Sequence, residues 1–236
     1  MKNLFQKAKK LKSLKASSGF TLLEVVFVIA IFAVMASIVL FRFNDFGART
    51  AFDNLSQDIA LRVVEAQKSA LAGKLNPNFD GTAAPSYGVY FSNDLVGDQN
   101  KQFIFFTDIN SGGVFDNIYN PTAGCSGVST VGNECISDTT ITTGDYIDTI
   151  CYENSGVFCN TSITPTKAHV TFIRPFPKAT LVVESAGSTV FAQRLYIGLV
   201  SGFDSNIQKT IVIDGLGSVH VAEGGACTIS GYLGGC

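Results

Sequence analysis

Four groups of residues in this chain of 236 have types and spacings that could do chemistry. Glu24 is a single carboxylate inside an otherwise apolar run, five positions after Gly19, and its charge would need a counter-charge. Asp108, Asn110 and Asp116 place oxygen ligands around the Gly112-Gly113 turn, as the first part of a calcium loop does. Cys125, Cys135, Cys151, Cys159, Cys227 and Cys236 could oxidise in pairs or hold a soft metal. His169 and His220 complete the set.

Most of this chemistry thins out on inspection. The bidentate glutamate of an EF-hand would fall on Tyr119, and Gly112 replaces a further ligand. Calcium would therefore be bound weakly, or the run is a polar hairpin turn. Neither histidine stands at a metal-binding spacing, and no G-x-S-x-G elbow is present. Gly215 and Gly217 start like a dinucleotide fingerprint, but His220 occupies the next required glycine position, so this reads as a turn. No pair of acids is brought together as a glycosidase needs. We therefore expect no enzyme and no cofactor beyond that weak calcium candidate. The cysteines contain no C-x-x-C pair and their spacings are irregular, which speaks against zinc. An even count fits three bridges, and we expect neighbours to pair: Cys125 with Cys135, Cys151 with Cys159, Cys227 with Cys236. Each such bridge would stabilise by roughly 2.5–3 kcal/mol on the chain-entropy estimate.

The elements that position these groups begin with a membrane segment. Phe20 to Phe41 is 22 residues long with Glu24 its only ionisable side chain, and as a helix it would span roughly 33 Å, enough for a bilayer core. Lys2, Lys7, Lys9, Lys10, Lys12 and Lys15 precede it with no acidic residue among them, which holds the N-terminus in the cytoplasm and sends the rest outward. An acidic side chain costs about 2.5–3.5 kcal/mol at a bilayer centre and less near the surface. Were the chain cut after Gly19, the new amine of Phe20 would lie about one helical turn from Glu24, and the carboxylate would sit at the positive end of the helix dipole. The partner would be its own amine or that of a neighbouring subunit. Without residues 1–19, 11 basic residues face 19 acidic ones, a net charge of about −8 that argues against a nucleic-acid face.

Beyond Arg42, Leu55, Ile59, Val63, Ala66 and Ala70 recur at helical spacing, so the helix should continue as an amphipathic one that docks on a head. Asn44 to Gly47 is its weak point, Gly47 would permit a bend, and it should end near Gly73, before Asn76-Pro77. Strands are expected at 87–91, 103–107, 146–152, 170–174, 179–183, 195–200, 210–213 and 219–221, the last two joined by Asp214-Gly215-Leu216-Gly217. Residues 120–166 read as a stapled loop with one strand in it. The expected fold is α+β: a long N-terminal helix, 20–72 with its membrane part at 20–41, packed on a mainly antiparallel β head at 73–236.

Gly19 followed by Phe20-Thr21-Leu22-Leu23-Glu24-Val25-Val26 and more apolar residues closely resembles the processing motif of type IV pilins and type II secretion pseudopilins. The resemblance implies a leader at 1–19, cleavage after Gly19 by the prepilin peptidase, N-methylation of Phe20, and an assembly role for Glu24. It also implies an inner-membrane precursor with its head outside the cytoplasm, and a surface or periplasmic filament built with other pilin or pseudopilin subunits. Two other readings compete: a secretory signal cut near Val34-Met35-Ala36, leaving Ser37 first, or an uncleaved anchor. Both leave Glu24 unexplained. The order long helix, Tyr87-Gly88-Val89-Tyr90-Phe91, Phe103 to Asn110, then a terminal hairpin at Gly215 and Gly217 is similar to the H-type minor pseudopilins. The cysteine-rich insertion departs from them, and Cys227 to Cys236 resembles the disulfide loop of pilins proper, so a major subunit stays open. A DNA-capturing minor pilin is a further alternative, but residues 224–236 contain no Lys or Arg.

Overall fold

The computed structural model describes residues 19–74 (main chain only at 41–45), 85–109, 115–120, 125, 133–160 and 166–231. They form two units, one ending at Phe46 and one beginning at Gly47. Helix α1 is Leu22–Ala72. In the first unit it carries an apolar stretch, Leu22–Leu40, with none of its residues buried. Gly47 lies within the helix.

In the second unit α1 becomes one-faced. Phe52, Ile59, Val63, Ala66 and Ala70 are almost wholly enclosed, with Leu55 packed at the margin, as the period of 3.6 requires. Gly73, in the left-handed region at φ 62°, ends the helix.

The eleven strands among the described residues all pair antiparallel. β1 (Ser86–Ser92), β2 (Gln102–Asp108), β3 (Cys135–Thr140), β6 (Thr166–Phe172), β7 (Ala179–Ser185) and β8 (Ser188–Ala192) form one sheet in the order β3-β2-β1-β6-β7-β8. β4 (Tyr146–Glu153), β5 (Val157–Asn160), β9 (Arg194–Val200), β10 (Gln208–Asp214) and β11 (Val219–Glu223) form the other, in the order β11-β10-β9-β4-β5. One apolar core joins the helix face to Val89, Phe91, Phe103 and Val170 of the first sheet and to Ile150, Ile197, Leu199 and Ile211 of the second. A short helix, α2 (Ala226–Ser230), packs on the outer face of the second sheet against Cys151, Tyr196 and Val212. The fold is α+β, with antiparallel sheets following the long helix.

Three expectations need correcting. Residues 120–166 supply three strands rather than one. β3 is an edge strand with alternate residues exposed and its last four, Ser137 to Thr140, all polar, and β5 is only four residues long, so neither carries a long run of apolar residues. The strand expected at 170–174 is Thr166–Phe172, because Thr166 and His169 are buried although polar. β8, α2 and a 3-10 stretch at Val96–Lys101 were not anticipated. A register shift between Ile147 and Thr149 lets both Ile147 and Ile150 face the core, which strict alternation forbids.

Polar ties hold the layers in place. The Lys209 ammonium is enclosed on β10 and donates to Asp53 of α1 at 2.8 Å and to Glu223 of β11 at 2.9 Å. Burial pulls its pKa down, but those two hydrogen bonds outweigh it and leave it raised. Gln67 Nε2 donates to Pro177 O at 2.9 Å and Gly217 O at 3.2 Å, fixing α1 to the terminal hairpin. A side chain at Gly217 (φ 94°) would collide with Pro177 O. Asn93, fully buried after β1, bridges the sheets: its Oδ1 accepts from Thr166 N at 2.7 Å, and its Nδ2 donates to Asn160 O at 3.0 Å and Asp148 O at 3.3 Å.

Asn93→Leu would leave those three main-chain groups without their partner inside the head. Each buried unpaired group costs about 1–3 kcal/mol, so the variant should lose at least about 2 kcal/mol. The check is the urea midpoint of the full chain in detergent; a midpoint within error of the unsubstituted protein would mean that Asn93 is not the bridge described.

Candidate functional site

The N-terminal motif is built on the first turn of α1. Gly19 and Phe20 precede the helix, Phe20 is 80% exposed, and nothing lies within 4 Å of where a Cβ on Gly19 would stand. Thr21 caps the helix: its Oγ1 accepts from Glu24 N at 3.2 Å, and its carbonyl accepts from Val25 N at 3.2 Å. The signal for this role is present in the sequence as Thr-x-x-Glu, the capping-box spacing, overshadowed there by the charge of Glu24.

Among the described residues the Glu24 carboxylate makes no hydrogen bond or ion pair. It projects from the first turn, where the helix dipole favours a negative charge. Leu22–Leu40 is 19 residues, so its axis covers about 28 Å. The Ser37 hydroxyl donates to Val34 O at 2.7 Å and leaves no polar group of its own unspent. A helix that is apolar on every side, with one carboxylate in its first turn, suits lipid or a bundle of like helices.

Two of the calcium candidates, Asp108 and Asp116, accept hydrogen bonds from neighbouring residues. Asp108 Oδ2 accepts from Asn117 N at 2.8 Å, and Asp116 Oδ1 and Oδ2 accept from Ile118 N and the Asn120 amide at 3.0 Å each. Asn110 lies outside the described residues. Glu134, unmarked by any local motif, enters the same cluster because β3 pairs beside β2: Oε2 accepts from Asn120 N at 2.6 Å and Oε1 from Ile109 N at 3.3 Å. His169 Nδ1 accepts from Tyr119 N at 2.9 Å, with Nε2 3.4 Å from Glu184. Three titratable side chains thus hold the main chain of Asn117 to Asn120 against the outer face of the first sheet, where Tyr119 packs on Tyr90 and Phe106. Asp108 Oδ1 is buried without a hydrogen-bond partner among the described residues.

Burial pushes the Asp108 carboxyl up to about 6 and Glu134 up to about 7, the latter against two main-chain donors that pull it down. Burial pulls His169 down to about 4, against Glu184, which favours its charged form. The arrangement favours neutral groups throughout.

The cysteines join as Cys125–Cys135 and Cys151–Cys159, and Cys227 is disulfide-bonded. Cys236, the expected partner of Cys227, lies outside the described residues. Among the described residues, the side chains close enough to share a metal ion are Cys151, Cys159 and Cys227, all of them oxidised. His220 is exposed on β11 opposite Val212.

These shifts set a pH dependence. The raised carboxyls give stability that is fully present below about pH 4 and is lost as pH rises through 6 and 7; the lowered His169 gives stability present above 6.5 and lost as pH falls through 4. Two carboxyls outweigh one imidazole, so the head should be more stable at pH 5 than at pH 8, by roughly 1–2 kcal/mol. Glu134→Gln should flatten that slope. Urea midpoints at the two pH values check both statements, and equal midpoints for the unsubstituted protein would contradict the burial of these charges.

Comparison with known proteins bears on the N-terminal motif. No curated protein and no solved structure matches the chain. Residues 14–40 match the prokaryotic N-terminal methylation motif, so the chain carries a prepilin-type signal, of the kind found in pilins and pseudopilins, spanning Gly19, Phe20, Glu24 and the apolar helix.

Proposed function

We propose that this chain is a structural subunit, a minor pilin or pseudopilin, of a type IV pilus or type II secretion-like filament. The observation that carries this reading is the methylation motif at residues 14–40, placed directly on an apolar helix with no buried residue. Prepilin peptidase cuts after Gly19, Phe20 becomes the methylated N-terminus, and the precursor waits as a single-pass inner-membrane protein with its head outside. On assembly the helix leaves lipid for a bundle of other subunits' helices, so its apolar surface never meets water.

In the bundle Glu24 has a defined task. Its carboxylate, without a partner among the described residues, pairs with the Phe20 amine of a neighbouring subunit and so fixes the axial register. A charge that is costly when alone rejects registers in which it has no partner.

Within this class we read the chain as an H-type minor pseudopilin. Support comes from the β1–β2 hairpin after the helix and the β10–β11 hairpin at Gly215 and Gly217, tied back to α1 through Gln67. The bonded Cys227 within α2 favours the second reading, a major subunit with a C-terminal disulfide loop. DNA capture is disfavoured by a tail without Lys or Arg, and we read the head as non-catalytic.

Glu24→Val tests the assigned role. The variant should be cut to mature size and accumulate in the membrane, while its share of sheared filaments falls by about tenfold or more, the effect of one lost charge pair of about 1.4 kcal/mol or more. Incorporation at the unsubstituted level would remove Glu24 from assembly.

A further inference from the structure

The two ends of the head carry opposite charge. At one end α1 stops, and its last turn meets the β6–β7 loop at 173–178 and the β10–β11 hairpin at 214–218. Gln67 holds Pro177 O and Gly217 O, and the Arg174 guanidinium lies against Gly73. Lys74, Arg174 and Lys178 are exposed there, and among the described residues none of them forms an ion pair. The one carboxylate on these three segments, Asp214, is already bonded to Arg194. The unpaired charge at this end is therefore positive. Phe176 and Leu216, on the same loops, are 65% and 72% exposed.

At the other end β1 and β9 finish and β4 and β10 begin. The 93–101 and 201–207 loops flank the start of β4: Asn93 donates to Asp148 O, and Asp145 Oδ1 accepts from Gly202 N at 3.0 Å. Of the charged groups on these two loops, Asp98 pairs with Lys101, while Asp94 and Asp204 form no ion pair among the described residues. Arg49 of α1 lies near Asp204 and offsets part of the charge, but Asp53 and Glu223 at this end share the single ammonium of Lys209. The surplus here is negative. Leu95, Val96 and Phe203 are exposed on the same two loops.

We propose that these ends are the two halves of one contact: the end of the head carrying Lys74, Arg174 and Lys178 docks on the end carrying Asp94 and Asp204 of a second copy of this chain. The occupant follows from complementarity. Each end presents apolar side chains beside charge of one sign, and the matching surface of opposite sign is present on every copy. An anionic lipid surface or a nucleic acid would use the basic end and leave the acidic one without a role. A contact between two unlike patches is heterologous, so each docked copy still offers one free end of each kind and the contact repeats, as a filament requires. The proposal rests on the filament reading and deepens it, adding a contact between heads to the one between helices.

The test is sedimentation equilibrium of the full chain in detergent, at up to about 0.5 mM protein, a range that detects weak contacts. Association is expected at about 50 mM NaCl and should weaken about tenfold or more at about 500 mM, where the charges of the two ends are screened. This comparison needs no variant. Lys74→Glu with Lys178→Glu, and separately Asp94→Lys with Asp204→Lys, should each weaken self-association by about tenfold or more. An equimolar mixture of the two double variants should recover it, because the basic end of the second then meets the acidic end of the first, both unsubstituted. A chain that stays single at both salt concentrations would overturn the proposal and leave the two ends to other subunits. So would association indifferent to salt, double variants that associate as tightly as the unsubstituted chain, or a mixture that associates no better than its parts. The N-terminal peptide keeps the two readings apart: methylated Phe20 on a chain that does not associate removes this contact and leaves the filament reading standing.

Discussion

A helix that is apolar on every side cannot be left in water, and much of this molecule is arranged around that constraint. Among the described residues, none of Leu22–Leu40 is buried. Such a surface calls for cover by lipid or by other apolar helices. The requirement fits the place of the only ionisable group there, in the first turn, where the helix dipole favours its charge. It also explains why Thr21 and Ser37 spend their hydroxyls on the helix's own backbone.

The second unit solves the opposite problem. From Phe52 onward, α1 offers a single apolar face, and the sheets close around that face in one continuous core. Apolar contact alone does not choose an axial position along a helix. Lys209 meeting Asp53 and Gln67 meeting Pro177 and Gly217 do, because each is a directional contact at a fixed height on α1. Asn93 performs the same service between the two sheets.

What the sequence made legible followed from local physics. The end of α1 at Gly73, the terminal hairpin at Asp214 to Gly217, and the two short-range cysteine pairings all arise from residues close together in the chain. What it concealed depends on long-range pairing. Glu134 joins Asp108 only because β3 lies beside β2, and Asp108 gives no hint of a partner brought in by a neighbouring strand. The register shift in β4 moves Ile150 inward against strict alternation, and β3 is written in serine, threonine and aspartate because half of it faces water. At the N-terminus the charge of Glu24 was legible, whereas the capping role of Thr21 needed the geometry of the turn.

The claim on which the account turns is that the mature chain begins at Phe20 with a methylated amine beside Glu24. Mass spectrometry of the N-terminal peptide, from protein recovered in the membrane fraction, tests it most directly. The account predicts a peptide that starts at Phe20 and carries one added methyl group. A chain that starts at Ser37, or one that retains Met1 and the lysine-rich leader, would contradict it.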